Sequence, residues 1–247
     1  MRILIANDDG IDAPGLALAE AAIRKLTDDV WVVAPEEKRT AASSSLTIGR
    51  SLIVIKTGPQ RFSCSGTPAD CVVTAMTWLF KGQKLPDLVL SGVNDGPNVA
   101  EDIAYSGTLG ISREATFWNI PAIGLSRVKN PNLALGDADY IAKLIWRLWE
   151  QRQGWVQDGH WMSINLPTTL PAQIRQAKIG RDKIASNSYV VKTDGRRTEL
   201  MVPRGRAALG RDGDEIDCLN QGFATLTRLS WLGHTDVSDA VMAKLSN

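Results

Sequence analysis

The chain has 247 residues, 44% of them hydrophobic and 22% charged, which is enough apolar material for one sizeable core and excludes a disordered chain. Its 28 basic residues against 27 acidic ones leave a net charge of +1, so no global field favours nucleic-acid polymers or anionic membrane and any anion specificity has to be local.

In chain order, Ile3 to Ala6 reads as a buried strand ended by Asn7-Asp8-Asp9-Gly10, and a helix follows from Pro14, with proline in its first turn, to about Leu26. Val30 to Ala34 is a second strand and Glu36 to Ser45 a polar loop. Ser51 to Lys56 and Arg61 to Cys64 read as strands of a small excursion, and Thr67-Pro68 starts a helix through Phe80. Asp87 to Ser91 is another buried strand, Gly92 to Tyr105 a long loop rich in Gly, Asn and Asp, Ser106 to Trp118 a helix, and Ala122 to Leu125 a strand. Leu135 to Gln151 has the spacing of an amphipathic helix, and Met162 to Leu166 reads as a last core strand. Strands alternating with helices predict an α/β fold, a parallel sheet covered on both faces. Beyond it, Tyr189 to Lys192 and Thr198 to Val202 flank Asp194-Gly195, which favours a tight hairpin turn. The expected organisation is one domain, 1–247: an α/β core over 1–169, a hairpin-like extension over 170–235 and a C-terminal helix from 236.

The three cysteines, Cys64, Cys71 and Cys218, lack metal-type spacing and read as reduced thiols of a cytoplasmic protein. The N-terminus runs into Arg2-Ile3-Leu4-Ile5 and then acidic residues, unlike a signal peptide, and no apolar run is long enough to span a bilayer.

Ligands of open parallel sheets bind beyond the carboxyl ends of the strands. Three polar loops follow such ends: Asn7-Asp8-Asp9-Gly10, the run Thr40 to Ser45, and Gly92-Val93-Asn94-Asp95-Gly96-Pro97-Asn98. Adjacent carboxylates repel unless a cation or strong donors offset them. Asp8 and Asp9 with a hydroxyl and an Asn amide oxygen make an all-oxygen set that suits Mg²⁺ or Mn²⁺. The same Asp-Asp-Gly run also serves as a plain turn. Ser106-Gly107-Thr108 opens a helix, whose free N–H groups bind phosphate; ordinary N-capping by Ser106 accounts for the same residues. Gly66 to Asp70 reads as a capped helix start first and a substrate wall second. No G-x-G-x-x-G follows a strand, and the P-loop, H-E-x-x-H and G-x-S-x-G patterns are absent. His160 and His234 fall in predicted loops with surface or packing roles, and the Arg/Lys scatter from Arg175 to Arg211 reads as a solvated arm.

The motifs resemble one family. Met1 to Gly10 with Ala13-Pro14-Gly15, Val32-Val33-Ala34-Pro35, Ser45-Leu46-Thr47, Gly66-Thr67-Pro68-Ala69-Asp70-Cys71, Ser91 to Asn98, Asp102 and Tyr105-Ser106-Gly107-Thr108 together look like the SurE family of 5'/3'-nucleotidases, most closely over residues 1 to 127. The resemblance implies a Rossmann-like sheet with a hairpin extension, assembly as a homodimer or homotetramer, and hydrolysis of nucleoside 5'- and 3'-monophosphates, with some members acting on short polyphosphate. It implies one divalent cation, Mg²⁺ or Mn²⁺, per subunit on Asp8, Asp9, Asn94 and Thr40, the last standing where the family usually has Ser. It places Ser44, Asn98, Ser106, Gly107 and Thr108 at the substrate and its phosphate, and Asp8 and Asp9 in catalysis. Three further departures stand out: Ala41 and Ala100 occupy places usually held by Gly, which removes easy access to positive φ, and Ser44 a place often held by Asn or His. The implied chemistry is in-line attack by a metal-activated water with Asp9 as base, or a phospho-aspartyl intermediate on Asp8. A nucleotide- or metal-binding regulatory module with little turnover is the alternative function, and a transferase on a similar sheet lacks its expected motif.

Overall fold

The computed structural model describes residues 1–130, 135–203, 205, 210–233 and 238. It has one nine-stranded sheet and one two-stranded ribbon. Five fully or nearly fully buried strands form the middle of the sheet: β1 (Ile3–Ala6), β2 (Val30–Pro35), β5 (Leu88–Asp95), β6 (Ala122–Arg127) and β7 (His160–Leu166). They run parallel in the order β2-β1-β5-β6-β7. On one flank β4 (Arg61–Cys64) pairs parallel with β2, and β3 (Val54–Gly58) closes the edge antiparallel to β4. On the other, β11 (Ala224–Ser230) pairs antiparallel with β7 and parallel with β8 (Ile174–Gln176).

Side-chain alternation on the strands builds two cores. Ile3 and Ile5 face one side with α1 (Pro14–Ile23) and α5 (Ala138–Glu150), which contributes Ile141 and Ile145. Leu4 and Ala6 face the other with α2 (Pro68–Thr74) and α4 (Gly107–Phe117), which contribute Val72 and Leu109. A residue slip in β1 would exchange the two sets, so the register is fixed by burial on both sides.

The chain leaves β1 toward β2 on one side, and β5 lies on the other. The crevice at the carboxyl ends of β1 and β5 is therefore the switch point of the sheet, where such folds take ligands.

Several element boundaries differ from expectation. α1 ends at Ile23 because its last residues tighten, with Lys25 N–H donating to the Ala22 carbonyl. The helix expected through Phe80 passes into a π-helical turn over Ala75–Leu79. β5 runs on to Asp95, with a register shift against β6 between Gly92 and Asn94, so the start of the expected long loop is strand. A one-turn helix, α3 (Asp102–Tyr105), occupies its end. The run from Leu135 starts as a 3-10 turn before α5. β11 is an element the sequence reading missed: Ala224-Thr225-Leu226-Thr227-Arg228-Leu229-Ser230 lies within 170–235 but belongs to the main sheet. Its interspersed polar residues hide it among turn-rich neighbours. α6 (Glu215–Asn220) precedes it, with Asp214 capping its first turn through the Asp217 N–H.

The hairpin is present as β9 (Tyr189–Asp194) and β10 (Arg197–Met201), with Gly195 at φ +54 in the turn. The helix expected from 236 falls, apart from Ser238, outside the described residues, as does His234. Cys64, Cys71 and Cys218 are buried and free. Among the described residues no helix is long and apolar enough to cross a membrane.

Candidate active site at the carboxyl edge of the sheet

The loop after β1 is locked by its own first residue. The buried Asn7 amide donates to the Gly10 carbonyl at 2.9 Å and accepts the Gly10 N–H at 3.2 Å, which turns Asp8 and Asp9 outward at the strand end. Gly10 sits at φ +106, and a Cβ there would stand 3.3 Å from the Glu37 backbone, so only glycine lets the two loops touch. Two backbone bonds join them: Ile11 N–H to the Pro35 carbonyl at 2.8 Å and Arg39 N–H to the Asp8 carbonyl at 2.7 Å. Thr40 and Lys38 are thereby carried to the Asp pair.

The carboxyl end of β5 arrives from the other side of the crevice. The Asp95 N–H donates to Asp9 Oδ2 at 3.0 Å. The Asn94 amide nitrogen donates to the Gly96 carbonyl at 2.7 Å, which leaves its oxygen as the atom available to a cation. The start of α4 closes the floor. Ser106 caps the helix, its Oγ accepting the Leu109 N–H at 3.1 Å. The N–H groups of Gly107 and Thr108 lie in the same first turn, where a helix provides no acceptor. A Cβ on Gly107 would stand 2.8 Å from the Asp8 Cβ and 2.9 Å from Pro68 Cγ.

Asp8, Asp9, Thr40, Asn94, Asn98 and Ser106 all line one cleft of about 490 Å³. Other predicted residues behave differently. The Thr108 hydroxyl is committed to Asp8 Oδ1 at 2.6 Å, and Gly107 and Thr108 are buried behind Ser106, not among the cleft-lining residues. Ser44 is not among the cleft residues: its Oγ accepts from Arg113 at 3.1 Å on the flank of α4. Asn98 lines the cleft, but its amide nitrogen donates to Ser126 Oγ at 2.7 Å, and Asn165 of β7 holds its backbone through bonds of 2.7 and 3.1 Å. His160 Nδ1 donates to the Asp158 carbonyl at 2.7 Å, outside the cleft.

Burial, and secondarily the charge of Asp9, pushes the Asp8 carboxyl up to about 6, against the opposing Thr108 hydrogen bond. Two carboxylates in this position need positive charge beside them, and the Lys38 ammonium on Asp9 supplies part of it. Among the described residues no three His, Cys, Asp or Glu side chains form a metal cluster, so an ion here would rest on two carboxylates, neutral oxygens and water. That hard-oxygen donor set fits Mg²⁺ or Mn²⁺.

The departures at Ala41 and Ala100 do not have the expected consequence. Ala41 stands at φ +56 and Ala100 at φ +52, so both alanines adopt the left-handed conformation open to glycine. The surroundings hold Ala100: its N–H faces Glu215 Oε2 at 3.4 Å, and the same carboxylate accepts the Gly180 N–H at 2.7 Å.

Cleft residues that sequence reasoning missed are Lys38, Lys129, Ile184, Ala185, Val202 and Pro203. Lys38 lies two residues before the predicted ligand Thr40. The other five come from segments with no motif, and only the topology brings them here.

Comparison with known proteins agrees with this architecture. The profile of the family Survival protein SurE matches residues 3–188. The 5'-nucleotidase SurE of Paramagnetospirillum magneticum is 38% identical over 244 residues, covering 96% of this chain and 92% of that protein. The 5'-nucleotidase SurE of Brucella canis is 36% identical over 243 residues, covering 93% and 92%. The crystal structure of the SurE protein from Aquifex aeolicus superposes with a TM-score of 0.76 at 25% identity over 99% of this chain and 98% of that one. With the family profile spanning three quarters of its length and relatives above one-third identity end to end, this chain belongs to the survival protein SurE family.

Proposed function

We propose that this protein is a divalent-metal-dependent nucleotidase that hydrolyses nucleoside 5'- and 3'-monophosphates to nucleoside and phosphate, with short polyphosphate as a further substrate. The observation that carries the reading is the meeting of Asp8, Asp9, Thr40, Asn94 and Ser106, from four separate segments, in one cleft at the switch point of the sheet. The names of the relatives support the 5'-nucleotidase activity.

Asp8, Asp9, Thr40 and Asn94 would hold one Mg²⁺ or Mn²⁺ per subunit, which supplies Lewis acidity toward a phosphoryl oxygen. The Ser106 hydroxyl and the N–H groups of Gly107 and Thr108 donate to the phosphoryl oxygens, where negative charge builds in transfer. Asp9 takes the proton of the attacking water. Direct attack by Asp8 is the other route; its Oδ1 is engaged by Thr108, which favours water. Rapid-quench trapping of an acid-stable phosphoenzyme would discard the water route.

The binding-module alternative rests on altered loop residues. The positive φ values of Ala41 and Ala100 argue against it, because these loops keep a glycine-like course. Assembly as a homodimer or homotetramer is supported by the β9–β10 ribbon, whose residues are exposed on both faces.

The test is phosphate release from AMP, GMP and p-nitrophenyl phosphate with Mn²⁺, Mg²⁺ or EDTA. Release is expected with metal and not with EDTA. Saturable nucleotide binding without metal-dependent release overturns the enzyme reading.

A further inference from the structure

Lys38 is a cation already seated on the Asp pair. Its Nζ contacts Asp9 Oδ1, while the other oxygen, Oδ2, accepts the Asp95 N–H. Asp8 Oδ1 is taken by Thr108. Of these partners only Lys38 can leave cheaply. The Asp9 side chain is 8% exposed, that of Lys38 47%, and the ammonium rides on a flexible four-carbon stem, whereas the Asp95 N–H belongs to a strand end and the Thr108 hydroxyl is buried. The neighbouring Arg39 is bound to Glu37 at 3.3 Å and to the Ser65 carbonyl at 3.2 Å, so it does not substitute for Lys38. Lys129, across the cleft, lies 3.8 Å from Asp95 rather than Asp9.

We infer that Lys38 is a resident counter-ion of Asp9 that a divalent cation displaces, and that the freed ammonium then meets the phosphoryl group in the same cleft. The inference rests on the cation reading of Asp8 and Asp9 above. A dication on Asp9 and an ammonium on the same carboxylate oxygen repel at short range, so the two exchange rather than coexist. Lys38 and Ser106 line one cleft, and the long stem keeps the displaced charge within it. Metal loading thereby frees a positive charge for an anionic substrate, which couples the two binding steps.

The test is calorimetric titration of the full chain with Mn²⁺, and of the Mn²⁺-loaded protein with inorganic phosphate. Wild type is compared with Lys38→Met, Lys38→Arg and Lys129→Met. The exposure of Lys38 predicts that all variants fold, which circular dichroism checks. Lys38→Met should bind Mn²⁺ roughly 3- to 10-fold more tightly than wild type, because no ion pair has to be broken. Lys38→Arg should stay near wild type, and Lys129→Met should tighten Mn²⁺ binding clearly less than Lys38→Met. Phosphate should bind Mn²⁺-loaded Lys38→Met roughly 3- to 10-fold more weakly than loaded wild type. The exchange is overturned if Lys38→Met binds Mn²⁺ no tighter than wild type, if Lys129→Met matches it, or if phosphate affinity is unchanged. Wild type binding Mn²⁺ normally alongside any of these results overturns Lys38 alone. Wild type binding no Mn²⁺ overturns the cation reading with it.

Discussion

The first strand of the sheet and the two-stranded ribbon use apolar residues in opposite ways. Every residue of β1 is buried, with Ile3 and Ile5 in one core and Leu4 and Ala6 in the other, and the polar turn that follows is cross-tied to two further loops. Every residue of β9 and β10 is exposed, although the ribbon carries Tyr189, Val190, Val191, Leu200 and Met201. A two-stranded ribbon on its own is marginal in water. The difference teaches that the Asp pair is positioned by the core, whereas the ribbon leaves its apolar residues exposed.

The comparison breaks first at the Asp pair. Asp8→Asn or Asp9→Asn should lower phosphate release at least about 10³-fold with the fold intact, measured by turnover and circular dichroism. Without metal, Asp8→Asn should improve stability at neutral pH. A carboxyl raised to about 6 binds its proton more tightly in the folded protein than at its ordinary 3.8, so its contribution is complete below about 4 and is lost as pH rises through 6. In EDTA, the stability of wild type relative to Asp8→Asn should therefore fall between pH 4 and 7 by on the order of 1–3 kcal/mol, read from urea melts. A gap that stays flat would show that Asp8 carries no such strain.

Gly107→Ala asks whether the floor of the cleft is as tight as the core. The added Cβ would meet Asp8 and Pro68 at under 3 Å, so turnover should fall roughly 10- to 100-fold and stability by about 1–3 kcal/mol. Unchanged kinetics would mean that α4 is free to shift.

The ribbon is probed by pairing Val190→Lys with Leu200→Lys, cross-strand neighbours on β9 and β10. Light scattering should find wild type at a multiple of its 26.9 kDa chain mass and the double variant at a smaller one. Melting should barely change if the ribbon contributes little to the monomer. An unaltered assembly would place the subunit contact elsewhere.

The smallest effects are expected at the left-handed alanines. Ala41→Gly and Ala100→Gly should each raise stability by up to about 1 kcal/mol, since glycine removes the Cβ penalty at positive φ and its own flexibility offsets part of the gain. Loss of stability at either position would show that the methyl group packs.

What was legible in the sequence follows the same division. The parallel strands announce themselves as continuous apolar runs, because both faces of the sheet are covered. The Asp8-Asp9 turn is visible because Asn, Asp and Gly clustered after an apolar run end the strand and turn the chain, whereas the similar cluster at Asn94 marks a site residue although β5 runs on to Asp95. β11 was not legible: Thr225, Thr227 and Arg228 break up its apolar residues, and its pairing with β7 is a contact between distant segments. Thr108 and Ser44 show the limit at the site itself. Both sit in recognisable motifs, but one hydroxyl is spent on Asp8 and the other on Arg113, and only three-dimensional neighbours reveal which polar atoms are already engaged. Ala41 shows the converse, a residue type that argues against a backbone conformation its surroundings nevertheless impose.

Anomalous diffraction from a crystal of this protein soaked in Mn²⁺ is the most direct measurement of the central claim. We predict one peak per chain within about 2–2.5 Å of carboxylate oxygens of Asp8 and Asp9, with the Asn94 amide oxygen and the Thr40 hydroxyl completing the protein ligands. A peak seated elsewhere, or no peak between Asp8 and Asn94 at saturating Mn²⁺, would contradict it.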